Sequence, residues 1–75
     1  MPRRNRIHRH PLRWQLIALR RAQGWTQEAL AEQSGVHKTC IADYEGGHNL
    51  PTLETLERLA SALHVPICTL LGTPH

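Results

Sequence analysis

Lys38, Thr39, Ala42 and Asp43 recur at i, i+1, i+4 and i+5, so a helix through them would present all four on one face. Their chemistry suits the edges of nucleic-acid bases. Lys38 can donate to guanine O6 and N7, Thr39 can bond a base or touch a thymine methyl, and Ala42 can also touch that methyl. Asp43 can accept only from a donor such as cytosine N4. Any solvated helix face also carries Lys, Thr and Asp, so the assignment depends on what positions the face.

Residues 26–46 read as two short helices joined by a tight corner. Leu30 and Ala31 lie on one face of the first helix. Ile41 and Tyr44 lie on one face of the second, with Cys40 expected close to that inner face. Gly35 falls between them, where the chain must leave one helix and enter the next, and glycine reaches the left-handed conformation without steric cost. Ala31 is small enough for a close crossing, and Val36 can plug the corner. A helix pair at this steep angle leaves one face of the second helix, about residues 37–45 and starting at His37, free to enter a DNA major groove.

The flanking segments supply the frame. Pro11 suits a first helical turn, and Leu12, Leu16 and Leu19 follow at i, i+4 and i+7, with Arg13, Arg20 and Arg21 off the stripe. Gly24 closes that helix, and Thr26 caps the next, with Glu28 favourable in its first turn. Residues 46–51 are a loop by composition, holding His48 and Asn49. Thr52 caps a fourth helix whose expected apolar face is Leu53, Leu56, Leu59, Ala60 and Leu63. His64 stands at its end; histidine tolerates the left-handed conformation better than most residues, and a less sharp ending is expected. Pro66 opens a short fifth helix with Ile67, Leu70 and Leu71 on its apolar face, and Gly72 stops it. No segment alternates with strand period.

Seventy-five residues make one domain. We read residues 1–10 as a flexible basic arm, 11–72 as the folded unit and 73–75 as a tail. The net charge of +3 hides an asymmetry. Residues 1–22 carry seven arginines, including Arg3, Arg4, Arg6 and Arg9, and no acid. Residues 23–75 set Lys38 and Arg58 against six acids. Attraction to phosphate, which supplies most non-specific DNA affinity, would therefore come largely from the arm. A membrane-surface role lacks the apolar face it would need. Two cysteines on separate helices make no disulfide framework and suit a reducing cytoplasm. No apolar run reaches membrane-spanning length or forms a secretory leader.

The arrangement resembles the helix-turn-helix of the phage repressor and Cro family, the XRE-like transcriptional regulators. The resemblance covers roughly residues 12–71: Leu16 to Leu19 and Arg20, then Gly24-Trp25-Thr26-Gln27, the corner at Gly35, and the segments 51–63 and 65–71. It implies a compact, all-α, five-helix domain of the lambda-repressor type. It also implies that Lys38, Thr39, Ala42 and Asp43 reach base edges, with His37 at the start of their helix. Gln27 would contact a phosphate at a helix N-terminus. The family often places Lys or Arg in the loop where His48 and Asn49 stand, so those contacts should be weaker and pH-sensitive. A basic or amide residue is common where Asp43 stands. Here the carboxylate either selects cytosine or pairs with a cation such as Lys38 or an arm arginine. Arg20 and Glu45 match a buried ion pair of related repressors. The end of the domain, here Pro66, Ile67, Leu70 and Leu71, would meet a two-fold mate.

Other chemistries find little here. The six histidines show no zinc-type spacing, and His37 with Cys40 at i, i+3 on one helix is a geometric possibility and nothing more. No nucleophile–base pair, carboxylate pair or phosphate-cradling glycine loop is present, so we expect no enzyme, cofactor or metal. The expectation is a regulator that binds a pseudo-palindromic operator in double-stranded DNA as a homodimer. The alternatives are an antitoxin that binds a toxin protein and represses its own operon, or an interaction module of this fold without specific DNA binding.

Overall fold

The three middle helices start at side-chain caps, at Thr26, His37 and Thr52, and the last four stop at left-handed residues. The computed structural model describes residues 11–72, so the arm with Arg3, Arg4 and Arg6, and the tail 73–75, lie outside the described residues. The elements are α1 (Pro11–Ala22), α2 (Gln27–Ser34), α3 (Lys38–Gly46), α4 (Leu53–Leu63) and α5 (Ile67–Leu71). Among the described residues there is no strand, and no helix is long and apolar enough to cross a membrane. Thr26 Oγ1 accepts from the Ala29 amide at 3.0 Å, and Thr52 Oγ1 from the Thr55 amide at 3.3 Å. Each satisfies a donor that the first helical turn leaves unpaired. Gly35, at φ 76°, ends α2 and returns its amide to Ala31 O at 2.9 Å.

His64 ends α4 more sharply than expected. It takes φ 61° and ψ 40°, the single positive φ outside glycine among the described residues. Its amide reaches Ser61 O at 3.1 Å and that of Val65 reaches Ala60 O at 3.0 Å. That pair of bonds is a Schellman closure, with histidine where glycine is usual.

The core is one cluster: Leu12 and Leu16 from α1, Leu30 from α2, Val36 from the corner, Ile41 from α3, Leu56, Leu59, Ala60 and Leu63 from α4, and Leu70 from α5. α1 packs on α3 and α5, α2 on α3 and α4, and α4 on α5. No helix here could stand alone at this length; the shared leucine seam holds them. One expected apolar position is corrected, and one position near the inner face is located. Leu53 is 65% exposed, because it is the first residue of α4 and lies at the edge of the stripe that meets α2 and α5. Cys40 is exposed: it borders the inner side of α3 beside Tyr44, but lies about a quarter-turn from the centre of the side made by Ile41, Tyr44 and Glu45.

Candidate nucleic-acid interface

α3 is fastened at both ends and along its inner side. His37 is its N-cap, its Nδ1 accepting the Thr39 amide at 3.1 Å. At the other end Gly47, at φ 79°, turns the chain, and the amides of Gly47 and His48 reach Tyr44 O at 3.2 Å and Asp43 O at 2.9 Å. The helix therefore runs one residue further than the sequence reading, through Gly46. Ile41 is fully buried, and Tyr44 packs against the core. Burial is the first cause of a raised Tyr44 phenol pKa, with the neighbouring Cys40 adding to it.

The outer side is unevenly open. Lys38 and Thr39 are exposed, whereas Ala42 and Asp43 are half-buried. Lys38 Nζ lies 3.4 Å from Glu28 Oε2 on α2, with side chains 54% and 71% exposed. A surface pair of this kind contributes little and is readily exchanged for another anion or acceptor. Among the described residues Asp43 does not pair with Lys38; its Oδ2 accepts from Asn49 Nδ2 at 3.3 Å, while the arm arginines offered as partners lie outside the described residues. His48 lies against the end of α3, where a Cβ on Gly46 would come within 2.8 Å of its Cδ2.

Glu45, 6% exposed, ties α1 and α2 to α3. Arg20 Nε donates to Oε2 at 2.7 Å and Arg20 Nη2 to Oε1 at 3.0 Å, a two-pronged fork of the stronger, charge-assisted kind. Gln27 Nε2 donates to the same Oε1 at 2.9 Å. Arg20 Nη1 continues to Trp25 O at 2.7 Å, which pins the α1–α2 turn. The hydrogen bond to Glu45 raises the Arg20 pKa above its already high value, against the opposing effect of burial. The pair expected from Arg20 and Glu45 is thus present in the structure, linking α1 to α3.

Two participants escaped the sequence reading. Gln27, expected at a phosphate, has one amide N–H committed to Glu45. Arg13, read as lying off the α1 stripe, donates Nε to Glu45 O at 2.9 Å and lies 4.5 Å from the Trp14 ring centre. Its seven-residue spacing from Arg20, two helical turns on one side, was the available signal. One interface residue needs correction. Leu70 is fully buried within the monomer, since it is the α5 side chain that enters the common core, so it has no surface to offer a partner. Pro66 is exposed, and Ile67 and Leu71 are half-buried.

The helix-turn-helix family HTH_3 matches residues 16–70. The chain is 38% identical over 59 residues to the HTH-type transcriptional regulator SutR of Escherichia coli, covering 79% of this chain and 33% of that protein. It is 40% identical over 53 residues to the cryptic phage CTXphi transcriptional repressor RstR of Vibrio cholerae, covering 71% of this chain and 47% of the relative. The chain thus spans less than half the length of either relative. The restriction-modification controller protein C.AhdI from Aeromonas hydrophila has a similar structure, with a TM-score of 0.76 and 32% identity. That match covers 80% of this chain and 91% of the controller. An HTH_3 family transcriptional regulator from Vibrio cholerae superposes with a TM-score of 0.81 at 28% identity, covering 92% of this chain and 39% of the other.

Proposed function

The chain belongs to the HTH_3 helix-turn-helix family, and we propose from that footing that it regulates transcription by binding operator DNA through α3 as a homodimer. One observation carries the reading. The inner side of α3 is locked by Ile41 and by the Glu45 contacts, while Lys38 and Thr39 on its outer side meet nothing stronger than one solvent-exposed ion pair. A rigid helix with an uncommitted polar outer side suits insertion into a major groove. Gln27 at the first residue of α2 stands where free backbone amides favour a phosphate. The arm arginines Arg3, Arg4 and Arg6 would add sequence-independent attraction. Pro66, Ile67 and Leu71 remain as the self-complementary contact, with half-sites about one helical turn apart.

The likeness to a restriction-modification controller, at a TM-score of 0.76 and 32% identity, supports the regulator reading. Random-sequence duplexes captured by the immobilised chain and sequenced should enrich an inverted repeat. A recovered pool no different from the input would refute the reading.

A further inference from the structure

The recognition side of α3 carries a carboxylate where nearby phosphates would repel it, and the structure holds that carboxylate in place from outside the helix. Asn49, in the loop after α3, donates from Nδ2 to Asp43 Oδ2 at 3.3 Å. Both lie on the accessible side of the molecule: Asn49 is exposed and Asp43 half-buried. The loop itself is pinned, because the backbone amide of His48 reaches Asp43 O at 2.9 Å. Asp43 is therefore gripped twice, at its carbonyl by His48 and at one carboxylate oxygen by Asn49.

The geometry points to Asp43 and Asn49 acting as one unit that selects cytosine at one position of each half-site. The inference rests on the reading that α3 enters the major groove. An ionised carboxylate can only accept, and with Oδ2 engaged by Asn49 the acceptor left for a base is Oδ1. In the major groove cytosine shows a donor, N4, and no acceptor on that base. Guanine shows two acceptors, which a carboxylate repels, and thymine shows an acceptor and a methyl group. Adenine has a donor at N6 beside the N7 acceptor. Cytosine is thus the base whose edge matches Asp43 without a conflict.

Lys38 stands five residues earlier, roughly 7.5 Å back along the helix axis. That is about two base-pair steps of 3.4 Å, so the two charges read different base pairs. A half-site would then show a donor-read position and, about two pairs away, a cytosine. The Asn49 amide partly offsets the repulsion between Asp43 and the phosphates, which an unheld carboxylate would feel in full.

The test is parallel selection from random duplexes with the wild-type chain, Asp43→Asn and Asn49→Ala, with circular dichroism confirming that each variant is folded. The wild type should enrich cytosine at one position of each half-site. Asp43→Asn should move the preference at that same position toward adenine, whose N6 and N7 suit an amide. Measured affinities for duplexes that differ at that base pair should change by about five-fold or more. Asn49→Ala should flatten the cytosine preference while leaving the rest of the motif intact. If Asp43→Asn and the wild type share the same base preference at every position, Asp43 and Asn49 only tie the loop to α3, and the inference is overturned. A wild-type pool with no motif at all overturns the DNA-reading proposal itself, and the cytosine inference with it.

Discussion

Replacing Glu45 with alanine removes the acceptor for three side-chain hydrogen bonds, two from Arg20 and one from Gln27. Arg20 and Glu45 are only 12% and 6% exposed, so water reaches the vacated donors poorly. Breaking a buried ion pair at one partner costs about 3–5 kcal/mol. Arg20 keeps its bond to Trp25 O and can turn its fork toward solvent, which places the expected loss near the lower end, about 3 kcal/mol. At ~0.05–0.15 kcal/mol per residue the whole domain holds about 4–11 kcal/mol, so this one change would remove a large share. With each kcal/mol shifting Tm by about 4–8 °C in a domain this size, Glu45→Ala should melt roughly 12–24 °C below the wild type. A melting series followed by circular dichroism on Arg20→Ala, Glu45→Ala and the double variant gives the coupling directly. We expect at least about 1 kcal/mol between the two positions. A Glu45→Ala domain melting within about 4 °C of the wild type, or additive single losses, would refute the role assigned to this contact.

Further outcomes follow from individual positions. His64→Gly should stabilise the domain by up to about 1 kcal/mol, since it removes the left-handed penalty of roughly 1–2 kcal/mol and adds a smaller entropic one; denaturant midpoints measure it, and a lower midpoint contradicts it. Leu70→Ala should cost about 2–5 kcal/mol as a core truncation. Leu71→Lys should instead leave a folded chain that has lost self-association in sedimentation; a Leu71→Lys chain that sediments as the wild type does would remove Leu71 from the interface. Because burial raises the Tyr44 pKa in the folded state, the neutral phenol favours folding fully below the unfolded value near 10. That contribution fades as pH rises through the higher folded value. Tyr44→Phe should therefore show a shallower fall in melting temperature above pH 10 than the wild type, and identical alkaline profiles would count against the assignment.

The local signals in the sequence carried the helices: Thr26, Thr52, Gly35 and Gly72 mark helix ends that the structure places at or within a residue of the reading. The leucine spacings located most of the core, because period and burial agree wherever a helix lies flat on its neighbours. They failed for Leu53, which has helical spacing but stands at a helix end where nothing packs over it, and they did not show that the inner side of α3 would hold a buried glutamate, Glu45, while Cys40 at its border stays exposed. Leu70 was assigned to a dimer contact because its apolar character is visible in sequence while the direction it faces is decided by the crossing of α5 on α1. In the candidate interface, Lys38, Thr39 and Asp43 were legible from helical spacing. The grip of Asn49 on Asp43 and of Gln27 and Arg13 on Glu45 depends on how separate elements meet, and no local pattern encodes that.

The central claim is that the outer side of α3 is the surface that meets DNA. Amide chemical-shift mapping during titration with a selected duplex tests it most directly. The account predicts that the largest changes fall at residues 38–43 and at Gln27, with Glu54, Arg58 and His64 in the groove between α2 and α4 little changed. Changes concentrated in that groove, with residues 38–43 unmoved, would contradict it.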